Sequence, residues 1–372
     1  MLLKDFAEII NYLAPPDLAA DWDNCGLQVG SPESPVTKIG LALDATEGTV
    51  AVALKAGCDL LLSHHPLLFR AVKNIDFQRP PGSVIAAAIS GGLSIYSAHS
   101  NWDSAENGVA PALAELLELT GLRPLAPALR DFDKLAVCVP AGYENRLRRA
   151  LFQIGAGVVG DYDHCWFGLS GEGGFRVPKE ASPFIGQRGR ETITRESRLE
   201  FILPRALAPQ AAEALRAVHP YEEPAFEFYP VRVSGQGQGL GLVGHWNPPR
   251  NLLALLEGLG LAFKWSGPRP ERVGRVALLP GSGGSCLPAA KAAGAEVLIT
   301  GDAAYHQALE AESLGLTLVD LGHHETEWPG VLRLARLLKA EFLRRRLDLE
   351  CLTLKQNCPW TYHRGPAEVR SE

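Results

Sequence analysis

The chain has 372 residues with 36 basic and 42 acidic side chains, a net charge of −6 that argues against bulk nucleic-acid binding. No apolar run is long enough to span a membrane, and the start of the chain lacks the uninterrupted apolar core of a signal peptide. Seven cysteines without a Cys-x-x-Cys pair point to free thiols and a cytoplasmic protein.

Residues 4–13 read as a short amphipathic helix stopped by Pro15 and Pro16. The segment Trp22-Asp23-Asn24-Cys25-Gly26-Leu27-Gln28-Val29-Gly30 reads as a shaped loop leading into a strand. A strand over 38–44, a helix over 48–56 and a strand over 59–63 follow. Leu60-Leu61-Leu62 is a short apolar run of the kind that forms a buried strand. It delivers Ser63-His64-His65, and Pro66 stops it. A helix over 83–90 and a strand over 93–98 come next, and that strand delivers His99-Ser100-Asn101-Trp102-Asp103. A helix over 108–119 closes the segment. Strands alternating with helices make an α/β layer architecture.

Pro124 and Pro127 mark a boundary. Beyond them lie a strand over 135–139, a helix over 145–154, strands over 157–169 and 195–203, a helix over 209–218 and a strand over 225–231. That β-α-β-β-α-β order is the one found in ferredoxin-like α+β domains. A Gly/Pro-rich excursion over 171–190 separates its halves. The glycine run over 234–241 marks the second boundary. The expected division is 1–127, 128–243 and 244–372, with the outer segments forming one α/β domain.

The α/β pattern then resumes, with a helix over 252–259 and a strand over 275–279. Gly281-Ser282-Gly283-Gly284-Ser285 opens a helix that runs to 293. Such a turn can hold an anion at a helix N-terminus, but it lacks the Lys-Ser/Thr of a P-loop and the spacing of a dinucleotide fingerprint. A plain tight turn is the stronger reading. A strand over 296–300, a helix over 303–314, a strand over 316–321, a long helix over 327–346 and an edge strand over 349–354 complete the chain. One internal echo stands out. Lys55-Ala56-Gly57-Cys58-Asp59-Leu60-Leu61-Leu62-Ser63-His64 resembles Ala292-Ala293-Gly294-Ala295-Glu296-Val297-Leu298-Ile299-Thr300-Gly301. It predicts two related α/β halves around one cleft, with the middle domain inserted between them.

The chemistry-bearing residues gather at strand ends. His64, His65, His99, Asp103, His323 and Glu327 all follow predicted strands of the two halves, and open α/β sheets bring such ends to one edge. His323 and Glu327 are four apart and share a face if the chain turns helical there. Adjacent strand residues point to opposite sides, so His64 and His65 address two metal positions more easily than one. Imidazoles with two carboxylates can hold two divalent ions if one carboxylate bridges, and the N/O set suits Zn, Mn, Fe or Ni without choosing among them. Hydrolysis through a metal-bound hydroxide is the default chemistry of such a pair. His99 or His324 is the candidate acid/base, because an imidazole can give and take a proton near neutral pH.

The same residues carry a family resemblance. Asp23 to Gly30, Ser63-His64-His65-Pro66-Leu67-Leu68-Phe69, His99 to Asp103, Ile299-Thr300-Gly301-Asp302 and Gly322-His323-His324-Glu325-Thr326-Glu327 resemble the NGG-one-interacting-factor-three-like family, often named GTP cyclohydrolase type I homologues. Phe184-Ile185-Gly186 and His219-Pro220-Tyr221-Glu222-Glu223-Pro224 are similar to the PII- and CutA-like insert of its longer bacterial members. The resemblance implies a dinuclear site held by His64, His65, Asp103, His323 and Glu327, and a toroidal homohexamer. Two departures matter. Ala98-His99-Ser100-Asn101-Trp102-Asp103 stands where many relatives have Thr-His-Thr-Asn-Leu-Asp. Asp302-Ala303-Ala304-Tyr305-His306 stands where many have an acid and paired histidines, so His306 is at most a supporting residue.

Two functions follow as expectations. One is a dinuclear metal-dependent hydrolase acting on a small molecule, with GTP cyclohydrolase-like attack on a nucleotide as the specific form. The other is a ring-shaped scaffold or regulatory protein whose metals are structural. The sequence has no Asn-Lys-x-Asp and no P-loop with which to read a guanine nucleotide.

Overall fold

The computed structural model describes residues 1–160, 162–178, 180–356 and 358–360, with 234–236 described by backbone alone. The architecture is mixed α/β with two sheets. The chain divides into two compact units, Met1–Ala128 with Gly237–Glu372, and Leu129–Gln236. The second boundary falls inside the glycine run, which is part of a strand, Phe226–Arg250. Among the described residues no helix is long and apolar enough to cross a membrane.

The first unit opens with α1 (Leu3–Leu13), β1 (Gly26–Val29), β2 (Lys38–Ala42), α2 (Glu47–Lys55), β3 (Leu60–Ser63), α3 (Gly82–Gly91), β4 (Ser94–Ser97), α4 (Ser100–Asp103) and α5 (Val109–Leu116). The chain leaves along β5 (Thr120–Pro140). The second unit holds α6 (Glu144–Gln153), β6 (Phe167–Arg176), β7 (Glu191–Pro204) and α7 (Ala208–Val218), and the chain leaves it along β8 (Phe226–Arg250). The first unit then resumes with α8 (Leu252–Gly258), β9 (Lys264–Ser266), β10 (Val273–Ser282), α9 (Leu287–Ala292), β11 (Val297–Gly301), α10 (Tyr305–Ser313), β12 (Thr317–Asp320), α11 (His323–Arg345) and β13 (Glu350–Thr353).

Two sheets of matching design make the first unit. One has the order β1-β4-β3-β2-β13, with β2, β3 and β4 parallel and β1 antiparallel at the edge. The other runs β8-β10-β11-β12-β9 here, with β10, β11 and β12 parallel and β9 antiparallel at the edge. β3 and β11 are the central strands, and they are the two members of the sequence echo. Leu60, Leu61 and Leu62 are buried because helices cover both faces. Leu60 and Leu62 face α1 and α11, while Leu61 faces α2 and α3.

The echo has a physical cause at each position. Gly57 and Gly294 end their helices with φ of 72° and 73°, a left-handed conformation open to glycine at no steric cost. Asp59 Oδ2 accepts from the amides of Thr37 at 2.8 Å and Lys38 at 3.0 Å, clasping the start of β2. Glu296 Oε1 does the same for β10, accepting from Gly274 at 3.0 Å and Arg275 at 2.8 Å.

In the second unit the strand order is β6-β7-β5-β8, with β6 and β5 both antiparallel to β7. Its core is formed by Leu135, Val137, Val139, Leu147, Leu151, Leu199, Phe201, Leu203, Ala211 and Leu215. The strand expected over 157–169 lies instead at Phe167–Arg176, running into the stretch expected to be an irregular excursion. Pairing of the whole of β6 with residues 191–200 of β7 draws Gly168, Gly171, Gly173 and Gly174 into the ladder despite their poor intrinsic strand preference.

Candidate metal centre

The carboxyl ends of β3, β4, β11 and β12 converge within the first unit. Beyond β3 the chain bends at His64 and His65, with the His64 amide donating to Ala42 O at 3.0 Å and the His65 amide to Leu43 O at 2.8 Å. The two imidazoles stay close, with centroids 5.1 Å apart and planes 47° apart. The His64 side chain is 2% exposed and that of His65 25%. β4 leads through His99 into the single turn α4, which carries Asp103. β12 leads through Gly322, at φ 89°, into α11, whose first turn carries His323 and Glu327. A Cβ on Gly301 would lie 2.7 Å from the His323 amide nitrogen, so only glycine lets β11 end this close to the helix.

Each imidazole is fixed at Nδ1. His64 Nδ1 donates to Ala98 O at 2.9 Å, and His65 Nδ1 lies 2.7 Å from Asp44 Oδ1. His323 Nδ1 lies 2.7 Å from Asp302 Oδ2, and His99 Nδ1 lies 2.9 Å from Asp23 Oδ1. Every partner is an acceptor, so each Nδ1 carries a hydrogen and the working atom is Nε2.

The Nε2 atoms gather about one buried carboxylate. Glu327 Oε2 is 3.0 Å from His65 Nε2, 3.0 Å from His323 Nε2 and 3.9 Å from His64 Nε2. His64 Nε2 is also 3.5 Å from Asp103 Oδ1. Ligand atoms cluster as His65, His323 and Glu327, as His64, Asp103 and Glu327, and as His64, His65 and His99. The first two groups share Glu327.

The electrostatics ask for a cation. Burial pushes His64 down to about 3, leaving a neutral ring with a bare Nε2 lone pair. That atom is buried without a hydrogen-bond partner among the described residues. Burial would lower His65 too, but Asp44 and Glu327 raise it to about 10. The Glu327 bond raises His323 to about 9. Burial would raise Glu327, but the bonds from His323 and His65 hold it well below the ordinary carboxylate range. Burial and the neighbouring Glu327 charge push Asp103 well up. Protons or a metal ion must neutralise this set, and the facing lone pairs with their oriented Nδ1 partners fit a divalent ion.

The expected residues divide. His64, His65, Asp103, His323 and Glu327 come together, and His99 stands beside them, its ring centroid 5.2 Å from that of His64 and 5.5 Å from that of His65. His324 turns away on α11 and stacks on Trp328, with centroids 5.7 Å apart and planes 11° apart. It is not in reach of the clustered ligand atoms, because a one-residue step on a helix rotates the side chain by about 100°. His306 stands edge-on to Tyr305 and is likewise outside the cluster. Trp102 is 1% exposed and its Nε1 donates to Gly330 O of α11 at 3.3 Å, so this departure from the family pattern serves packing and leaves Asp103 in position.

Asp23, Asp44 and Asp302 were missed as site residues. Asp44 and Asp302 follow the ends of β2 and β11, where the strand-end rule already pointed, and Asp23 lies in the first motif. Asp23 also accepts from the Ser100 amide at 2.9 Å, from the Ser100 hydroxyl and from the Cys25 thiol at 3.0 Å. The glycine-rich turn is a packing element. Gly281 N donates to Thr326 Oγ1 at 3.0 Å and Gly283 N to Thr300 Oγ1 at 2.8 Å, so these amides are already used.

Beside the cluster, Asp302 forms part of the wall of a cavity of about 860 Å³ that is also lined by Phe263, Lys264, Asp320 and Trp360. Trp22 and Phe69, 64% and 49% exposed, stand edge-on to the His99 ring.

Comparison with known proteins places the chain among relatives along its length. The family model Duf34/NIF3 (NGG1p interacting factor 3) matches residues 1–359. A Bacillus subtilis protein named GTP cyclohydrolase 1 type 2 homolog is 36% identical over 327 residues, covering 86% of this chain and 88% of its own. A Mycobacterium tuberculosis protein of the same name is 35% identical, covering 91% of this chain and 92% of its own. The crystal structure of a Bacillus cereus protein related to NIF3 superimposes with a TM-score of 0.83 at 32% identity, covering 98% of this chain and 99% of that one.

Proposed function

The chain belongs to the Duf34/NIF3 family, and from that premise we propose that it is a dinuclear metal-dependent hydrolase acting on a small molecule of nucleotide size. The observation that carries the reading is the pair of ligand triplets sharing Glu327, with His64 in one and His65 in the other. His64 and Asp103 would hold one ion, His65 and His323 the second, and Glu327 would bridge. Zn, Mn, Fe and Ni all suit such a donor set. When bound, the ions supply Lewis-acid polarisation of the scissile bond and acidify water.

The protein's own residues supply the rest. Asp44 and Asp302 hold the His65 and His323 rings in the tautomer that leaves Nε2 free. Asp23 holds His99 in the same way, and His99, beside the cluster, is the group that gives and takes the proton. His324, stacked away on Trp328, takes no part in this reading. The cavity lined by Phe263, Trp360 and the Lys264–Asp320 ion pair offers apolar rings beside polar groups for a heterocycle, and its volume lies in the range of small-molecule sites. The names of the relatives make a GTP cyclohydrolase-like reaction the first to test.

The wider reading has three parts. The strand order β6-β7-β5-β8 supports a ferredoxin-like, PII/CutA-like insert. Cys25, Cys58, Cys138, Cys165, Cys286 and Cys351 form no disulfide, which supports a cytoplasmic protein. The family resemblance implies a homohexamer, which native mass spectrometry tests.

The experiment is metal analysis of the purified protein, followed by a screen of nucleoside triphosphates with added Mn or Zn. Two metals per chain and turnover that Asp23→Asn reduces without metal loss are expected. Fewer than one metal per chain after metal-replete expression would sink the reading. Full metal content, no turnover and loss of assembly in Glu327→Ala would favour a scaffold with structural metals.

A further inference from the structure

The second unit carries a cavity of its own, of about 440 Å³, on the strands β5, β6 and β7 and the turn after α7. It brings together the two motifs of the inserted segment that the metal chemistry leaves unused. Phe184 and Ile185 come from one, and Tyr221, Glu222 and Glu223 from the other. Three aromatic rings line it. Tyr221 lies 5.9 Å from Phe175 and 6.4 Å from Phe184 between ring centroids, in tilted and edge-on arrangements. Such a set brings three rings to the wall of one partly open cavity.

Its polar group is Glu196 on β7. Glu196 Oε1 accepts a hydrogen bond from the Tyr221 hydroxyl at 2.7 Å. Among the described residues no lysine, arginine or histidine nitrogen forms an ion pair with it. A strand glycine makes room for it, since a Cβ on Gly173 would fall 2.7 Å from Glu196 Cδ. Glu222 and Glu223 add negative charge to the wall, against the single guanidinium of Arg176.

The turn that presents Tyr221 is itself fixed. His219 Nε2 donates to Cys138 O at 2.9 Å, and His219 Nδ1 accepts from the Tyr221 amide at 3.1 Å. Those two bonds need a neutral ring with one hydrogen, and burial pushes His219 below its ordinary value, which favours that form. The Tyr221 phenol is pushed up by burial and by the Glu196 carboxylate, so it stays a donor.

We propose that this cavity is a binding site for a small organic cation, an amine or quaternary ammonium, held between the rings of Phe175, Phe184 and Tyr221 and the carboxylate of Glu196. Aromatic faces attract a cation through their quadrupoles, and the attraction grows when the cation is desolvated. The unpaired carboxylate completes the charge balance. The volume suits a ligand of metabolite size. The site is separate from the metal centre and needs no metal to form.

The test uses the full-length protein with choline and butylamine as cationic probes and acetate as the anionic one, by calorimetry and saturation-transfer NMR. Binding of at least one cation is expected, weakened about tenfold or more in Glu196→Gln, which can still accept the Tyr221 bond. Phe184→Ala, at a side chain 49% exposed, should weaken it too at little risk to folding. Metal content should be unchanged in both variants, and circular dichroism should confirm that each is folded. Failure of both cations to bind, cation binding undiminished in folded Glu196→Gln, or binding of acetate alone would overturn the proposal. Neither the probes nor the variants touch the metal centre, so this result stands apart from the hydrolase reading.

Discussion

Nε2 of His65 and Nε2 of His323 stand 3.2 Å apart, although 258 residues separate them in the chain. Both rings have Nδ1 committed to a carboxylate, and both Nε2 atoms face Glu327. Two protonated imidazoles at that distance repel each other, and two neutral ones present lone pair to lone pair. One proton shared between them, or a metal ion in its place, resolves the conflict.

The pH dependence of metal uptake follows from the sign of these shifts. His65 is raised from 6.5 to about 10 and His323 from 6.5 to about 9, so the metal-free site is protonated at neutral pH. Both groups stabilise the metal-free fold below their unfolded value of 6.5, and that stabilisation is lost as pH rises through about 9 and 10. A metal must displace those protons, so its apparent affinity should rise roughly tenfold per pH unit for each proton displaced. Titration with Zn or Mn at pH 6, 7 and 8 checks this. The thermal shift on adding metal should also grow with pH, and an affinity flat across that range would contradict the protonation assigned to the site.

Metal stoichiometry separates the ligands. His64→Ala and His65→Ala should each lose roughly one ion, because of the two triplets that share Glu327 one uses His64 and the other His65. Glu327→Ala should lose both, because both triplets use it. Native mass spectrometry on the three variants decides it, and full occupancy in both histidine variants would remove them from the ligand set.

The orienting carboxylates should matter less than the ligands but measurably. Asp44→Ala and Asp302→Ala free the His65 and His323 rings to rotate and change tautomer. Changes at such positions commonly weaken metal affinity ~10–100-fold. Competition with a chelator measures it. An unchanged affinity would mean that packing alone holds the rings.

Trp102 links fold to site. Its ring is buried beside α1 and α11, and Asp103 follows it directly. Trp102→Ala should cost roughly 3–5 kcal/mol, the usual penalty for emptying a buried aromatic site. Trp102→Leu should cost less and keep metal. Urea unfolding of the metal-free proteins gives the stability difference, and a near-neutral Trp102→Ala would contradict the packing.

The sequence by itself determined the α/β alternation, because short buried strands and amphipathic helices write their periods into the chain. It also singled out the histidines at strand ends, and the His323–Glu327 spacing already implied a shared helical face. The echo around Asp59 and Glu296 was legible for the same local reason: a left-handed glycine, an acid clasping neighbouring amides and a buried strand each demand particular residues. Tertiary structure decided the rest. Glycines in β6 read as loop until β7 pairs with them, since a ladder is a property of two strands. His324 and His99 are equal candidates as residue types, and only the direction of α11 turns one toward Trp328 while Asp23 fixes the other beside the cluster. Asp23, Asp44 and Asp302 look like ordinary strand-end and loop acids, because a hydrogen bond to a histidine distant in sequence leaves no local periodicity to read.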